Sequence, residues 1–180
     1  MQEDDAKLTP DQKKIVEALN HGALELTRVP TDEMTAIQNL NSSVFDPLKT
    51  MNSLKDVATL KAGGQSLVDA AAKTDSGYEQ ERAELEQDLV RAGLAEPLAG
   101  QVSEKFIERA KARTAARTEA VSKLGQTTKD LADFLEQNKS KWKRQNQAFA
   151  FTSKTASSEF TTRQQKLQAA VQELNEHLNP

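Results

Sequence analysis

The sequence predicts an all-α protein, an elongated helical bundle with one long helix at about 101–150 and antiparallel coiled-coil-like packing. Proline is absent between Pro97 and Pro180, and Gly125 is the only glycine after Gly100. The second half therefore lacks the residues that most often end a helix. The 24 basic and 27 acidic residues nearly balance, giving a net charge of −3. Leu, Ile, Val and Phe make up only about a fifth of the chain, which suits narrow seams between helices.

The length of 180 residues fits one helical domain. We predict a single domain at 9–180, after a flexible N-terminus at 1–8. The expected order within it is short helices at 9–92, a turn at 93–100, the long helix at 101–150, and a C-terminal helix at 156–178.

The first two helices have recognisable start signals. Thr9 followed by Pro10 combines a capping hydroxyl with proline at the first helical position. Pro30 is expected to end this helix, after an apolar stripe that continues to about residue 28. Thr31 or Asp32 can then cap the second helix.

Four further signals divide the rest of the first half. Asp46–Pro47 repeats the cap-plus-proline pattern and predicts a third helix. Gly63–Gly64 predicts a break, and Asp75–Gly77 predicts a turn and a cap. The stretch Gly93–Gly100 holds two glycines and a proline, so we expect the strongest turn of the chain there.

The long helix carries apolar residues in steps of three and four. From Val121 to Phe149 these steps alternate closely enough to predict a coiled-coil seam, and Trp142 and Phe149 fit it as core residues. Several seam positions are polar: Arg117, Thr128, Asn138 and Gln145. Thr and Ser are frequent at 152–158, which predicts a reversal into an antiparallel last helix. The alternative, one helix over 101–178, stays open.

Two histidines are the first candidates for metal binding. Glu17 precedes His21 by four residues, and Glu173 precedes His177 by four, so each pair shares a helix face. A joint site would need the first and last helices side by side. Two solvated pairs are the simpler interpretation, and we predict no metal and no cofactor.

Catalytic motifs are absent from the sequence. There is no cysteine and no Gly-x-Ser-x-Gly nucleophile elbow. Gly63–Ser66 lacks the lysine and the spacing of a phosphate-binding loop. The acidic residues at 79–88 are spread around a helix instead of converging on one site. They can pair with the basic residues at 105–117 across the turn. We therefore predict a non-enzymatic protein with no catalytic residues and no small-molecule substrate.

A basic segment with aromatic residues is the best candidate surface. No acidic residue occurs from Asn138 to Ser158. Basic residues beside aromatics can bind anionic lipid or single-stranded nucleic acid, but the acidic balance of the chain argues against nucleic acid. Phe151 is expected to be the exposed aromatic. The candidate residues for a partner or membrane surface are Lys139, Lys141, Lys143, Arg144, Phe151 and Lys154.

Taken together, these features predict a structural or protein-interaction protein that contacts a protein partner or a second copy of itself. The alternative is a peripheral module that binds anionic membranes through residues 139–154. The lack of cysteine fits a bacterial cell-envelope protein, and the N-terminus resembles one left after signal-peptide removal. We expect a periplasmic or otherwise exported location, with the cytoplasm as the alternative.

Overall fold

The computed structural model describes residues 8–39, 53–145 and 148–178. It confirms the predicted all-α bundle and adds one short β-hairpin. Among the helices described, none is both long enough and apolar enough to cross a membrane. The elements in chain order are α1 (Pro10–Arg28), α2 (Thr31–Asn39), α3 (Leu54–Arg91), α4 (Glu96–Gln137), β1 (Trp142–Gln145), β2 (Ala148–Phe151) and α5 (Lys154–Leu178).

Helix α1 begins as its sequence predicts. The Thr9 hydroxyl accepts a hydrogen bond from the Gln12 amide at 3.3 Å, and the Gln12 side chain accepts one from the Thr9 amide at 2.8 Å. This reciprocal capping satisfies two amides at the start of the helix. The predicted start at Asp46–Pro47 and residues 1–7 of the predicted flexible N-terminus lie outside the described residues.

Helix α3 is continuous where breaks were expected. It passes through Gly63–Gly64 and Asp75–Gly77 without interruption, so both predictions are wrong. At two of these glycines the missing side chain permits close packing. A Cβ at Gly77 would lie 3.1 Å from Val29, and one at Gly64 would lie 2.8 Å from the Gly125 carbonyl oxygen. Gly93, with φ of 100°, does follow the end of α3 and occupies the left-handed conformation that glycine favours.

Helix α4 is displaced toward the N-terminus relative to the predicted 101–150. It begins at Glu96, with Pro97 in its first turn, and ends at Gln137. Side chains from the next segment donate hydrogen bonds to carbonyls in the last turn of the helix. Asn138 donates from Nδ2 to the Phe134 carbonyl at 2.9 Å, and Trp142 donates from Nε1 to the Leu135 carbonyl at 2.8 Å.

The predicted reversal before the last helix is confirmed, although the β-hairpin precedes it. Ser153 caps α5 by accepting a hydrogen bond from the Ala156 amide at 3.1 Å. Lys123 pairs with Glu173, and Arg163 lies over the Phe134 ring. Positions later in α4 therefore meet earlier positions in α5, and the two helices are antiparallel. The coiled-coil-like packing and the elongated shape stay predictions.

The chain divides into two compact units, which we describe separately. Unit 1 comprises Met1–Thr31 and Lys73–Ala115, and unit 2 comprises Asp32–Ala72 and Ala116–Pro180. The single-domain organisation therefore stays a prediction.

Among its described residues, unit 1 has two small apolar clusters. One is centred on Leu85 and Leu89, and the other on Leu26, Tyr78 and Ile107. The buried Tyr78 places its hydroxyl 2.8 Å from the hydroxyl of Thr114, which links α3 to α4. On the surface, Lys111 lies 3.6 Å from Asp75 and 3.9 Å from Glu79, so part of the expected pairing between the acidic and basic stretches is present.

Unit 2 contains the larger core, to which α2, α3, α4 and α5 all contribute. Helices α3 and α4 approach most closely at Gly64 and Gly125, where a Cβ on either would lie within 3.0 Å of the other's carbonyl oxygen. Beside this contact Lys61 bridges the helices, with Nζ 2.7 Å from Asp133 and 2.9 Å from Glu136. Hydrogen bonding to these two carboxylates raises the pKa of Lys61 to about 12. The fully buried leucines of this core are Leu60, Leu67, Leu124, Leu131, Leu135, Leu167 and Leu174.

Candidate interaction surface at the hairpin

The β-hairpin forms where the sequence predicted the last turns of a long helix. Its strands are antiparallel, with Trp142 opposite Phe151 and Gln145 opposite Ala148. Successive side chains of a strand point to opposite faces. One face therefore carries Trp142, Arg144, Phe149 and Phe151, which are all half-buried, and the other face carries Lys143, Gln145, Ala148 and Ala150.

The inner face of the hairpin packs in an aromatic cluster on the core of unit 2. Its ring centroids lie 4.9–6.4 Å apart, within the range of favourable aromatic contacts. Arg144 lies over Phe149 at 5.7 Å and Arg163 over Phe134 at 5.2 Å. The rings of the cluster belong to Phe134, Trp142, Phe149, Phe151 and Phe160.

The lysines of the segment remain on the surface around the hairpin. Lys143 projects from the outer face of β1. The Thr152 amide donates to the Lys141 carbonyl at 2.8 Å, so the chain returns beside Lys141 just before Lys154 at the start of α5. We call the exposed set the basic surface, and its members are Lys139, Lys141, Lys143 and Lys154.

The structure thus divides the six predicted surface residues into two groups. Four lysines are exposed and lie around one hairpin. Arg144 and Phe151 are half-buried and point their side chains at the aromatic cluster. The expectation that Phe151 is an exposed aromatic is therefore wrong. Trp142 and Phe149 do pack against the core as expected, but they do so from strands and not from a helix.

The two histidine pairs lie in different units of the chain. His21 belongs to unit 1 and His177 to unit 2. His21 lies 4.0 Å from Glu25 and 3.9 Å from Asp88, whereas its predicted partner was Glu17. Within residues 8–39, 53–145 and 148–178, no three potential ligands lie close enough together to hold a metal ion.

An ion pair between a fully buried carboxylate and a half-buried arginine of unit 2 was not predicted. Glu33 of α2 has a side chain with 0% exposure, and its Oε2 accepts a hydrogen bond from Nε of Arg117 at 3.3 Å. Glu33 Oε1 and Arg117 Nη2 are buried without a hydrogen-bond partner among the described residues. One feature of the sequence could have indicated this pair: Arg117 is a charged residue at a seam position of a long amphipathic helix.

Comparisons with protein-family models, curated proteins and solved structures found no match to this chain.

Proposed function

We infer that this protein is a non-enzymatic interaction protein whose basic surface binds an acidic peptide segment of a partner protein. The observation that carries this proposal is the set of four exposed lysines around one hairpin. No acidic residue interrupts the chain between Asn138 and Ser158. Such a surface attracts negatively charged partners and selects against basic ones.

Rigid presentation of the lysines supports the same proposal. The hairpin is attached to the end of α4 by the Trp142 hydrogen bond and to the core by the aromatic cluster. Lys143 and Lys141 are thereby held on a backbone with fixed pairing. A surface that is already organised loses less conformational entropy when a partner binds.

The inward orientation of the aromatic residues favours a protein partner over a membrane. Peripheral membrane binding usually combines basic residues with apolar side chains that enter the acyl region. Trp142, Phe149 and Phe151 are packed against unit 2, which leaves charge as the main attraction. We therefore treat membrane binding as the competing outcome of the test.

The test is binding of a fluorescein-labelled glutamate 20-mer, followed by anisotropy at low and at physiological salt. The variant changes the four lysines of the basic surface to Gln. We expect it to bind about tenfold more weakly, and the affinity of the unchanged protein to fall with salt, because exposed charges are screened. A matched control changes four exposed basic residues of unit 1 to Gln, which gives the same net charge: Lys13, Lys105, Arg109 and Arg113.

Three results would contradict the proposal. One is no binding of the peptide, and another is equal loss of binding in the two variants. The third is binding to phosphatidylserine vesicles but not to the peptide, which would favour the membrane module instead. The exported location inferred from the sequence stays a prediction.

A further inference from the structure

Helix α2 is short and contributes little apolar surface to unit 2. It has nine residues, fewer than an isolated helix needs to be stable in water. Of these, Glu33 and Ala36 are buried, and Ile37 packs partly against the core. Its position therefore depends on docking, and one of its two buried side chains is charged.

The Glu33–Arg117 pair stabilises the docked position of this helix only weakly. Burial removes the Glu33 carboxylate from water completely, whereas the Arg117 side chain keeps 22% exposure. Within the part of the chain that the structure describes, the two groups share one hydrogen bond, at 3.3 Å. Glu33 Oε1 and Arg117 Nη2 have no hydrogen-bond partner among the residues that the structure describes. Buried pairs compensate for desolvation only when their geometry is good and the remaining polar atoms are satisfied. When α2 leaves the core, water can solvate both groups.

We propose that α2 is a releasable strap, which detaches from unit 2 while α3, α4 and α5 stay packed. The Glu33–Arg117 pair keeps the free energy of this opening below that of global unfolding. Detachment uncovers Arg117 and the apolar surface that Ala36 and Ile37 cover. This opening is independent of peptide binding at the basic surface.

The absence of cysteine allows a direct test by thiol labelling. Ala36→Cys places the only thiol on the inner face of α2, and Ala170→Cys places it in α5 of the same core as a matched control. Both alanines are at least nine-tenths buried. Under native conditions we expect DTNB to label the A36C protein about tenfold faster or more, because local opening precedes global unfolding. Equal labelling rates would overturn the proposal.

A second variant tests the role of the ion pair. Glu33→Met together with Arg117→Leu replaces the pair with apolar side chains of similar size. In the A36C background this change should slow labelling by about tenfold, since such replacements often stabilise a fold. Unchanged labelling would refute the role of the pair. If these variants do not fold, hydrogen exchange of the unsubstituted chain decides. If the amides at 35–39 exchange as slowly as those at 124–135, the proposal that α2 detaches locally is overturned.

Discussion

Helices α3 and α4 contact each other in both units, but they fill the space between them differently. In unit 2 the backbones meet at Gly64 and Gly125, where any Cβ would be too close to the opposite carbonyl oxygen. In unit 1 the contact includes the large side chain of Tyr78, whose hydroxyl reaches Thr114. The first arrangement depends on the absence of side chains. The second depends on a buried aromatic ring whose hydroxyl has a hydrogen-bond partner.

This difference explains why glycine has different roles along one helix. A glycine in a sequence usually signals a turn or a weak point in a helix. Gly64 and Gly125 are instead interior helix residues on packed faces, and their lower helix propensity is offset by close contact between the helices. Gly100 also lies inside α4, but a Cβ added there would be no nearer than 3.4 Å to its closest neighbour, the flexible side chain of Glu86.

The largest expected effect is that of Gly125→Ala. The new Cβ would lie 2.7 Å from the Gly64 carbonyl oxygen and 2.9 Å from Leu67, so the helices must separate. We expect a loss of about 1–3 kcal/mol in the free energy of unfolding, as for other overpacked cores. Urea unfolding followed by circular dichroism measures it.

Gly100→Ala is the control for this prediction, because it is the same change in the same helix without backbone contact. It should raise the free energy of unfolding by about 0.5–1 kcal/mol through better helix propensity. If both substitutions stabilise the protein, the close approach at Gly125 does not have the role described for it.

A smaller effect is expected for Tyr78→Phe in unit 1. The substitution keeps the ring and removes the hydroxyl that contacts Thr114, so we expect a loss of about 1 kcal/mol. Thr114→Ala and the double variant complete a mutant cycle, and the coupling between the two changes measures the hydrogen bond. Fully additive losses would show that the hydroxyl pair does not contribute.

The smallest effect is a pH dependence at Glu81. Burial raises its pKa, and the neighbouring carboxylates of Glu84 and Glu25 raise it further, while His21 acts in the opposite direction. The folded state thus binds the proton more tightly than the unfolded state. This stabilisation is present below the ordinary pKa of Glu and is lost as the pH rises through the raised folded pKa.

Glu81→Gln removes this titration. At pH 7 the variant should be slightly more stable than the unchanged protein, by no more than about 0.5 kcal/mol, because Glu81 is only partly buried and water screens its charge. Relative to the unchanged protein, the variant should lose this advantage as the pH falls through the raised folded pKa, and it should have none below the ordinary pKa of Glu. Thermal unfolding across pH 3–8 tests this, and a difference that does not vary with pH would contradict it.

Much of the fold follows from local signals. The Thr9–Pro10 start, the end of a helix before Gly93 and the reversal before α5 depend on capping and backbone preferences that act within a few residues. The continuity of α3 through Gly64 could not be predicted this way. It depends on Gly125, which is distant in the sequence, and single-residue propensities contain no information about such a partner.

The sequence predicted which residues belong to the candidate surface at the hairpin, but it predicted the orientation of only some of their side chains. The lysines at 139–154 are exposed as expected, since nothing in the core competes for them. The prediction for Phe151 is wrong because the helical spacing does not continue beyond Gln137, where α4 ends. The alternation Ala148-Phe149-Ala150-Phe151 has the period of a strand, and it was the available signal for the hairpin and its inward-facing rings.

Trp142 is the only tryptophan of the chain, and its indole donates to the last turn of α4 from within the hairpin. With excitation at wavelengths that tyrosine does not absorb, which excludes Tyr78, the intrinsic fluorescence of this protein therefore comes from a single emitter at the junction between helix and hairpin. A red shift of its emission would report that the hairpin has left the core, with no label attached. Titration of an acidic peptide against this signal would show whether the hairpin stays docked when a ligand occupies the lysines around it.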